Sequence, residues 1–590
     1  MLPTGDTTVG VGLGTALGMC VIRIVCRAFV TPSPSDHPYP TSIPGCSMRL
    51  RKSTTRLVTT ASTVALLATA APLATAHGSP ARNEKTLTAA PLATWQTDGI
   101  VWSVAYARGV VYVGGTFDSV RPPGAKPGQK EVARKNFAAF DAVTGKLLPC
   151  AHSFSEGEGT VRALKASPDG KVLYVGGSFG KVDDTGVASV VALNTAKCSL
   201  RADFRPAVAA TVRAIDTTRT TVYLGGDFTT VDGQSRNYIA SLSPKGKLLP
   251  FRADIDQPVR AVLAVPDHKK VLVGGDFEHV NGATEDSLVA LNPSTGATVT
   301  SFPHWVPLYS SVKALARDKT NFYVGAEGTG AGIFDGRIAG RLSDGKMVWK
   351  DFCQGATQAI VVQRGLLYSA SHAHNCVRTP GGFPDGRRRH FLVQSVSDRR
   401  ILHWFPDTDD GLGEAIGPRA LVMAKGILWA GGEFTTVNGR PQQGLTRFTS
   451  GPANTAPEAT PQLTATSSRA GKVKLTWQAT WDRDTAELTY LIYRDRVRVA
   501  SLKKRSTDWE LPEMTYTDSV KPGSRHRYTI AVTDGRNTTR RSKALVATAA
   551  TKATAAAKAP ATAPAAATAP ATATKRSVGE PWWVNPFATP

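Results

Sequence analysis

Between His372 and Glu414 the chain gathers ionisable side chains in three short clusters. His372-Ala373-His374 sets two imidazoles two residues apart, so on an extended strand both fall on one face and could ligate a metal with a nearby carboxylate. Arg387, Arg388, Arg389 and His390 form a run of cationic donors. Asp407-Thr408-Asp409-Asp410-Gly411, with Glu414 beyond it, could hold Ca²⁺, although the glycine falls one position early for an EF-hand loop. Neither spacing is specific, so no cofactor is expected, with Ca²⁺ or a transition metal as the alternatives. The expectation is a polar binding surface, with catalytic carboxylates as its rival.

These clusters must be positioned by a repeat. A heptapeptide of an apolar strand, two glycines, a small or acidic residue and a phenylalanine runs over Val111 to Phe117, Leu173 to Phe179, Val222 to Phe228, Val271 to Phe277 and Leu428 to Phe434. Weaker copies lie at Phe322 to Gly325 and Leu367 to Ala370. With Tyr112, Tyr174, Tyr223, Leu272, Tyr323, Tyr368 and Trp429 as markers, the steps are 62, 49, 49, 51, 45 and 61. A β-rich period near fifty fits a seven-bladed β-propeller over residues 91–450. Pro91 to Gln96 is expected to supply the strand missing from the last unit, closing the ring and removing exposed edges. The paired glycines are read as close backbone approach with φ above zero at a bend. Asp232-Gly233, Asn281-Gly282 and Asn438-Gly439 are read as turns.

Three loops depart from the regular unit: Asp118 to Lys135, Ser371 to His390 and Asp407 to Pro418. In a closed ring they fall on one sector of one face, where ligand-binding residues concentrate on loops held by a rigid scaffold. This sector is the expected site.

The block from Leu173 to Phe204, and Gly225-Gly226-Asp227-Phe228 through Ala240-Ser241-Leu242, resembles the bacterial delta-60 repeat, an uncharacterised β-propeller repeat. The resemblance implies fold and extracellular placement, and no reaction. Kelch repeats share the Gly-Gly but lack the phenylalanine two residues on. Asp344 to Trp349 looks like a single tryptophan-docking repeat of the quinoprotein dehydrogenases, which need it in most blades.

Four cysteines remain once a leader is removed. Gln354 to Gln363 and Leu366 to Cys376 read as hairpin arms turning at Arg364-Gly365, so paired positions sum to 729 and Cys353 faces Cys376 within disulfide reach. Cys150 then pairs with Cys198 by elimination. Residues 1–47 read as a misassigned extension, Met48 to Ala76 as a secretory signal ending at Ala74-Thr75-Ala76, and 77–90 as a linker. The even cysteine number suits an oxidising compartment.

Residues 454–550 change style. Lys472 to Trp477, Tyr516-Thr517-Asp518 and Lys521-Pro522-Gly523 ahead of Tyr528 to Val532 are similar to a fibronectin type III domain, an immunoglobulin-like β-sandwich with Trp477 and Tyr528 inside it. Residues 551–590 form an Ala/Pro/Thr-rich tail ending near Trp582-Trp583. The formal charge of +24 over 590 residues admits acidic partners, but no basic stripe interleaved with aromatics marks a nucleic-acid surface. The all-β chain is therefore expected to be secreted and extracellular, without a transmembrane anchor. Its expected role is binding or scaffolding on polysaccharide or cell-envelope polymer, with a glycoside hydrolase or polysaccharide lyase as the alternative.

Overall fold

The computed structural model describes residues 86–328, 333–451 and 454–553, all within the compact unit Ser79–Pro590. The extension over 1–47, the signal over 48–76 and the Trp582-Trp583 end lie outside the described residues, as does most of the tail.

Ile100–Ala107, Thr160–Ala166, Val212–Thr217, Val259–Val265, Ser310–Arg317, Thr357–Gln363 and Pro418–Ala424 open successive antiparallel sheets, each pairing with the strand that follows it, which carries glycine in all but the sixth, Leu366–Ala373. Each opening strand packs on the next, and Pro418–Ala424 packs back on Ile100–Ala107. The fold is a β-propeller.

Both glycines of the repeat are explained by close approach. A Cβ on Gly114, Gly176, Gly225, Gly274 or Gly431 would lie 2.3 to 2.6 Å from Cγ1 of a valine on the neighbouring sheet, namely Val161, Val212, Val259, Val312 and Val101 in turn. The second glycine lies against its own opening strand: a Cβ on Gly115 would come 2.1 Å from the Ile100 carbonyl oxygen, and one on Gly226 2.1 Å from that of Thr211. The expected positive φ is absent, since none of these ten glycines has a left-handed backbone. Steric exclusion by the next sheet replaces a bend as the reason for glycine. Left-handed conformations belong instead to the turns, as at Asp232-Gly233, Asn281-Gly282 and Asn438-Gly439, where both residues have φ between 49° and 80°.

The ring closes with the chain's own beginning. The Thr88 amide donates to Thr449 O at 2.9 Å and that of Leu92 to Arg447 O at 2.8 Å, adding an outer segment to Leu445–Thr449. The pairing starts earlier than Pro91, and Gln96 leaves it to pair with Arg121. Arg447 fastens the join by donating to Ala93 O at 2.6 Å and stacking over Trp429.

Both disulfides are present, Cys150–Cys198 and Cys353–Cys376.

Residues 464–548 form two sheets with strand orders Thr464–Arg469, Lys472–Gln478, Glu513–Ser519 and Val497–Arg505, Glu487–Arg494, Arg525–Thr533, Leu545–Thr548. Lys472–Gln478 alternates exposed lysines with buried Val473, Leu475 and Trp477, as a half-buried strand must. Trp477 and Tyr528 are buried as expected, and the Tyr528 hydroxyl donates to Asp518 at 2.7 Å.

This sandwich is fastened to the propeller. Trp509 meets Phe405 and Phe383 at centroid distances of 5.2 and 5.6 Å, and Arg389 stacks over Phe383 while pairing with Asp508 at 2.9 Å. His403 Nε2 bonds the Asp482 carbonyl at 2.7 Å, and the Ala89 amide donates to Asp484 at 2.7 Å.

Candidate functional site

Of the three loops expected to share one sector, Ser371 to His390 and Asp407 to Pro418 meet, and their members have different duties. His390 is held between Asp407 and Asp410, at 3.2 Å from Nδ1 and 3.0 Å from Nε2. Arg387 pairs with Asp407 at 3.0 Å and Arg388 with Asp410 at 3.0 Å, so five residues of the two loops form one network. Burial raises the Asp410 carboxyl, yet hydrogen bonds from Arg388 and His390 outweigh it and hold the group below its ordinary value.

Arg387 also lies 3.5 Å from Asp508, and Arg389 is committed to Asp508 and Trp509, so this edge of the sector faces the sandwich. Asp409 accepts the amides of Thr435 and Thr436 at 2.7 and 3.0 Å and the Thr435 hydroxyl. Asp98 and Asp256 do the same for the residues after Phe117 and Phe277, which marks Asp409 as a loop brace of the repeat. His374 pairs with Asp385 at 2.8 Å. His372 Nε2 accepts the Ala356 amide at 3.2 Å, and burial, with Arg388 adding to it, pushes its pKa down to about 4. It is a neutral acceptor. Among the described residues no group of three or more His, Cys, Asp and Glu has metal-holding geometry.

His372 and Glu414 lead to a second, more regular constellation. Every opening strand carries a β-bulge at one place, where two residues oppose one, and the extra residue leaves the sheet alternation. The residues so released are Trp102, Arg162, Arg213, Arg260, Lys313, Gln358 and Arg419, and all of them line one cavity of about 440 Å³. Glu327, Glu414 and Ile416 complete its wall. The second glycine makes room for the bulge, and the residue just after it supplies a partner.

Across the hairpin Arg213 meets Asp227 at 2.6 Å, Arg260 meets Asp276 at 2.5 Å, Lys313 meets Glu327 at 3.4 Å, and Arg419 meets Glu433 at 3.0 Å. Trp102 Nε1 donates to Thr116 at 2.9 Å. His372 holds the corresponding position in its own sheet. Asp227 and Glu433 lie outside the cavity wall, which shows five cations and two carboxylates, and Asp276 lines the adjoining cavity. Arg162 and Arg419, from the strands on either side, bring their guanidinium carbons to 3.9 and 4.4 Å from the Trp102 ring. Burial raises Asp276, but hydrogen bonds from Arg260 and Ser311 hold it below its ordinary value. Arg419 does the same for Glu414 against the same pressure.

Sequence reasoning placed Glu414 and His372 on this face and missed the rest. The signal was present as Val161-Arg162-Ala163, Val212-Arg213-Ala214, Val259-Arg260-Ala261 and Val312-Lys313-Ala314, a tripeptide whose middle residue lies 12 or 14 positions ahead of the first glycine. Read as an apolar run, it hides its middle residue.

A second cavity of about 270 Å³ adjoins the first and shares Arg260, Lys313 and Glu327 with it. Leu308, Tyr309, Asp286 and Ser287 line its other side. Tyr309 is 73% exposed and has a φ of 65°, a left-handed conformation that a bulky side chain adopts at a cost.

No protein-family model matches the chain, and no curated protein sequence matches it. Among solved structures the chain is similar to one titled Crystal Structure of Mitotic Checkpoint Complex, at 13% identity and a TM-score of 0.39 over 63% of this chain and 98% of that one. It is similar to the WD40 beta propeller domain of Doa1, at 11% and 0.37 over 61% and 97%. Saccharomyces cerevisiae Sqt1 follows at 12% and 0.35, over 62% and 100%.

Proposed function

We propose that this is a secreted binding or scaffold protein that engages carbohydrate or cell-envelope polymer through the propeller face on which the bulge residues open. The observation that carries the reading is the ring of bulge residues: the fold spends its most regular irregularity on turning polar side chains into one cavity. We read the scaffold as a seven-bladed propeller of the delta-60 kind, supported by the seven opening strands and the heptapeptide. A fibronectin type III-like sandwich follows it, supported by three strands facing four. Secretion is supported by the signal-like segment ending at Ala76 and by two disulfides.

Binding is favoured over hydrolysis because a general acid needs a raised pKa, whereas Asp276 and Glu414 in the cavity walls are held down and the propeller carboxyls that burial raises, Glu285 and Asp335, lie outside those walls. The test is sedimentation of the secreted protein with insoluble polysaccharides and cell-wall fractions, with reducing ends assayed in the supernatant. Co-sedimentation without new reducing ends is expected. Release of reducing ends, abolished by one carboxylate substitution, would establish the hydrolase instead. Mass spectrometry of the exported N-terminus should find His77 first, and peptides from residues 1–47 would contradict the leader.

A further inference from the structure

We propose that the bulge-ring cavity and the adjoining Tyr309 cavity together bind an acidic saccharide. A carboxylate, sulfate or phosphate on one sugar sits among Arg213, Arg260 and Lys313, and the face of a neighbouring sugar lies on Tyr309. The inference rests on the reading of this face as the binding surface, and it names the ligand class.

Four observations carry it. Cations outnumber carboxylates in the ring-cavity wall, five to two, whereas Asp276, Glu278 and Asp286 line the Tyr309 cavity, so the anionic group belongs on the ring side. Asp227 and Asp276 fix Arg213 and Arg260, so the remaining N–H groups are oriented before a ligand arrives, as directional recognition of an oxyanion requires. Nε of Arg162 and Nε of Arg419 are buried without a hydrogen-bond partner among the described residues, and the Arg419 side chain is only 7% exposed. Finally, the two cavities share Arg260 and Lys313, so a ligand held by its charge at the ring reaches an exposed aromatic held in a strained conformation.

The size of the ring cavity, about 440 Å³, suits a compact group and not a duplex. Because the fixing carboxylates offset most of the charge, attraction is short-ranged and directional. Its salt dependence should be shallower than that of a polyelectrolyte contact.

The experiment is calorimetric titration of the full secreted chain with oligogalacturonides and with the same oligosaccharides after reduction of their carboxyls to alcohols. Sulfated and phosphorylated oligosaccharides are separate arms that tell which oxyanion fits best. The acidic forms should bind about tenfold or more tightly than the neutral ones. Arg260→Gln and Lys313→Gln should each cost the acidic ligands about tenfold and leave neutral ones unchanged. Tyr309→Ala should weaken both by a similar factor.

Melting temperature checks that Arg260→Gln is folded, and Lys313→Gln, on a side chain 23% exposed, serves if it is not. Equal binding of acidic and neutral oligosaccharides, with Tyr309 still required, would overturn the anionic site and leave the binding function standing. Binding of no saccharide at all would overturn both. A single-stranded oligonucleotide of matched charge that bound as tightly as the best saccharide would overturn the ligand class.

Discussion

Gly431 faces Val101 across the seam where the last sheet meets the first, and a Cβ on that glycine would stand 2.3 Å from Val101 Cγ1. The same relation joins Gly114 to Val161 at 2.3 Å, so the seam is packed like an interior joint. Gly431→Ala and Gly114→Ala should each cost about 1–3 kcal/mol by overpacking. Val101→Ala combined with Gly431→Ala should recover part of that loss, and thermal melts of these three variants and of Val101→Ala alone measure it. Strictly additive losses would mean that the two sites do not meet.

The docking of the sandwich provides a second measurable coupling. Arg389 and Asp508 are 5% and 11% exposed in their side chains, so Asp508→Ala strands a buried guanidinium and should cost about 3–5 kcal/mol. A double-mutant cycle with Arg389→Met should show most of that cost disappearing. Proteolysis between the propeller and the sandwich, near residue 451, should accelerate in the single variant.

Asp482 and Asp484 give a pH dependence of unusual sign. Burial, and then the neighbouring Asp484 charge, push the Asp482 carboxyl up to about 7. One oxygen of each carboxyl lacks a hydrogen-bond partner among the described residues. The folded state therefore keeps a proton that the unfolded chain releases near pH 4. Stability should fall as pH rises from about 4 to about 7 and level off above that, with a slope of at most about 1.4 kcal/mol per pH unit. Asp482→Asn should remove the slope, and melts across that range decide it.

Loss of Cys353–Cys376, whose cysteines are 23 residues apart, should cost about 3 kcal/mol, less where the hairpin already restrains the loop. Chemical denaturation of Cys353→Ser with Cys376→Ser checks it. A change below about 0.5 kcal/mol would mean that the hairpin alone sets the loop.

The hairpin also shows why some features were readable in the sequence. Gln363 pairs with Leu366 and Ala359 with Ala370, as the arithmetic of a two-residue turn requires. The bulge between Thr357 and Ala359 then shifts the register, and an irregularity on the facing arm between Ala370 and Ala373 shifts it back, so Gln354 still bridges Asn375. The cysteine pairing survived because two departures cancelled. The bulge ring did not survive the same reasoning, because one inserted residue breaks the period of two on which facing is judged. The docking of the sandwich was unreadable for another reason. Arg389 begins a strand and Asp508 lies 119 positions away on an irregular segment, where no periodicity reports proximity.

Bulge residues have their side chains outside the packed sheets, while the glycines and valines beside them carry the joints between sheets. Exchange at Arg213, Arg260 or Lys313 therefore asks for no repacking of the sheets, and each position can drift together with its own carboxylate partner. Diversification of such a chain would proceed as in a receptor with a constant frame and a variable lining: ligand preference could turn over through paired substitutions while thermal stability and shape stayed fixed.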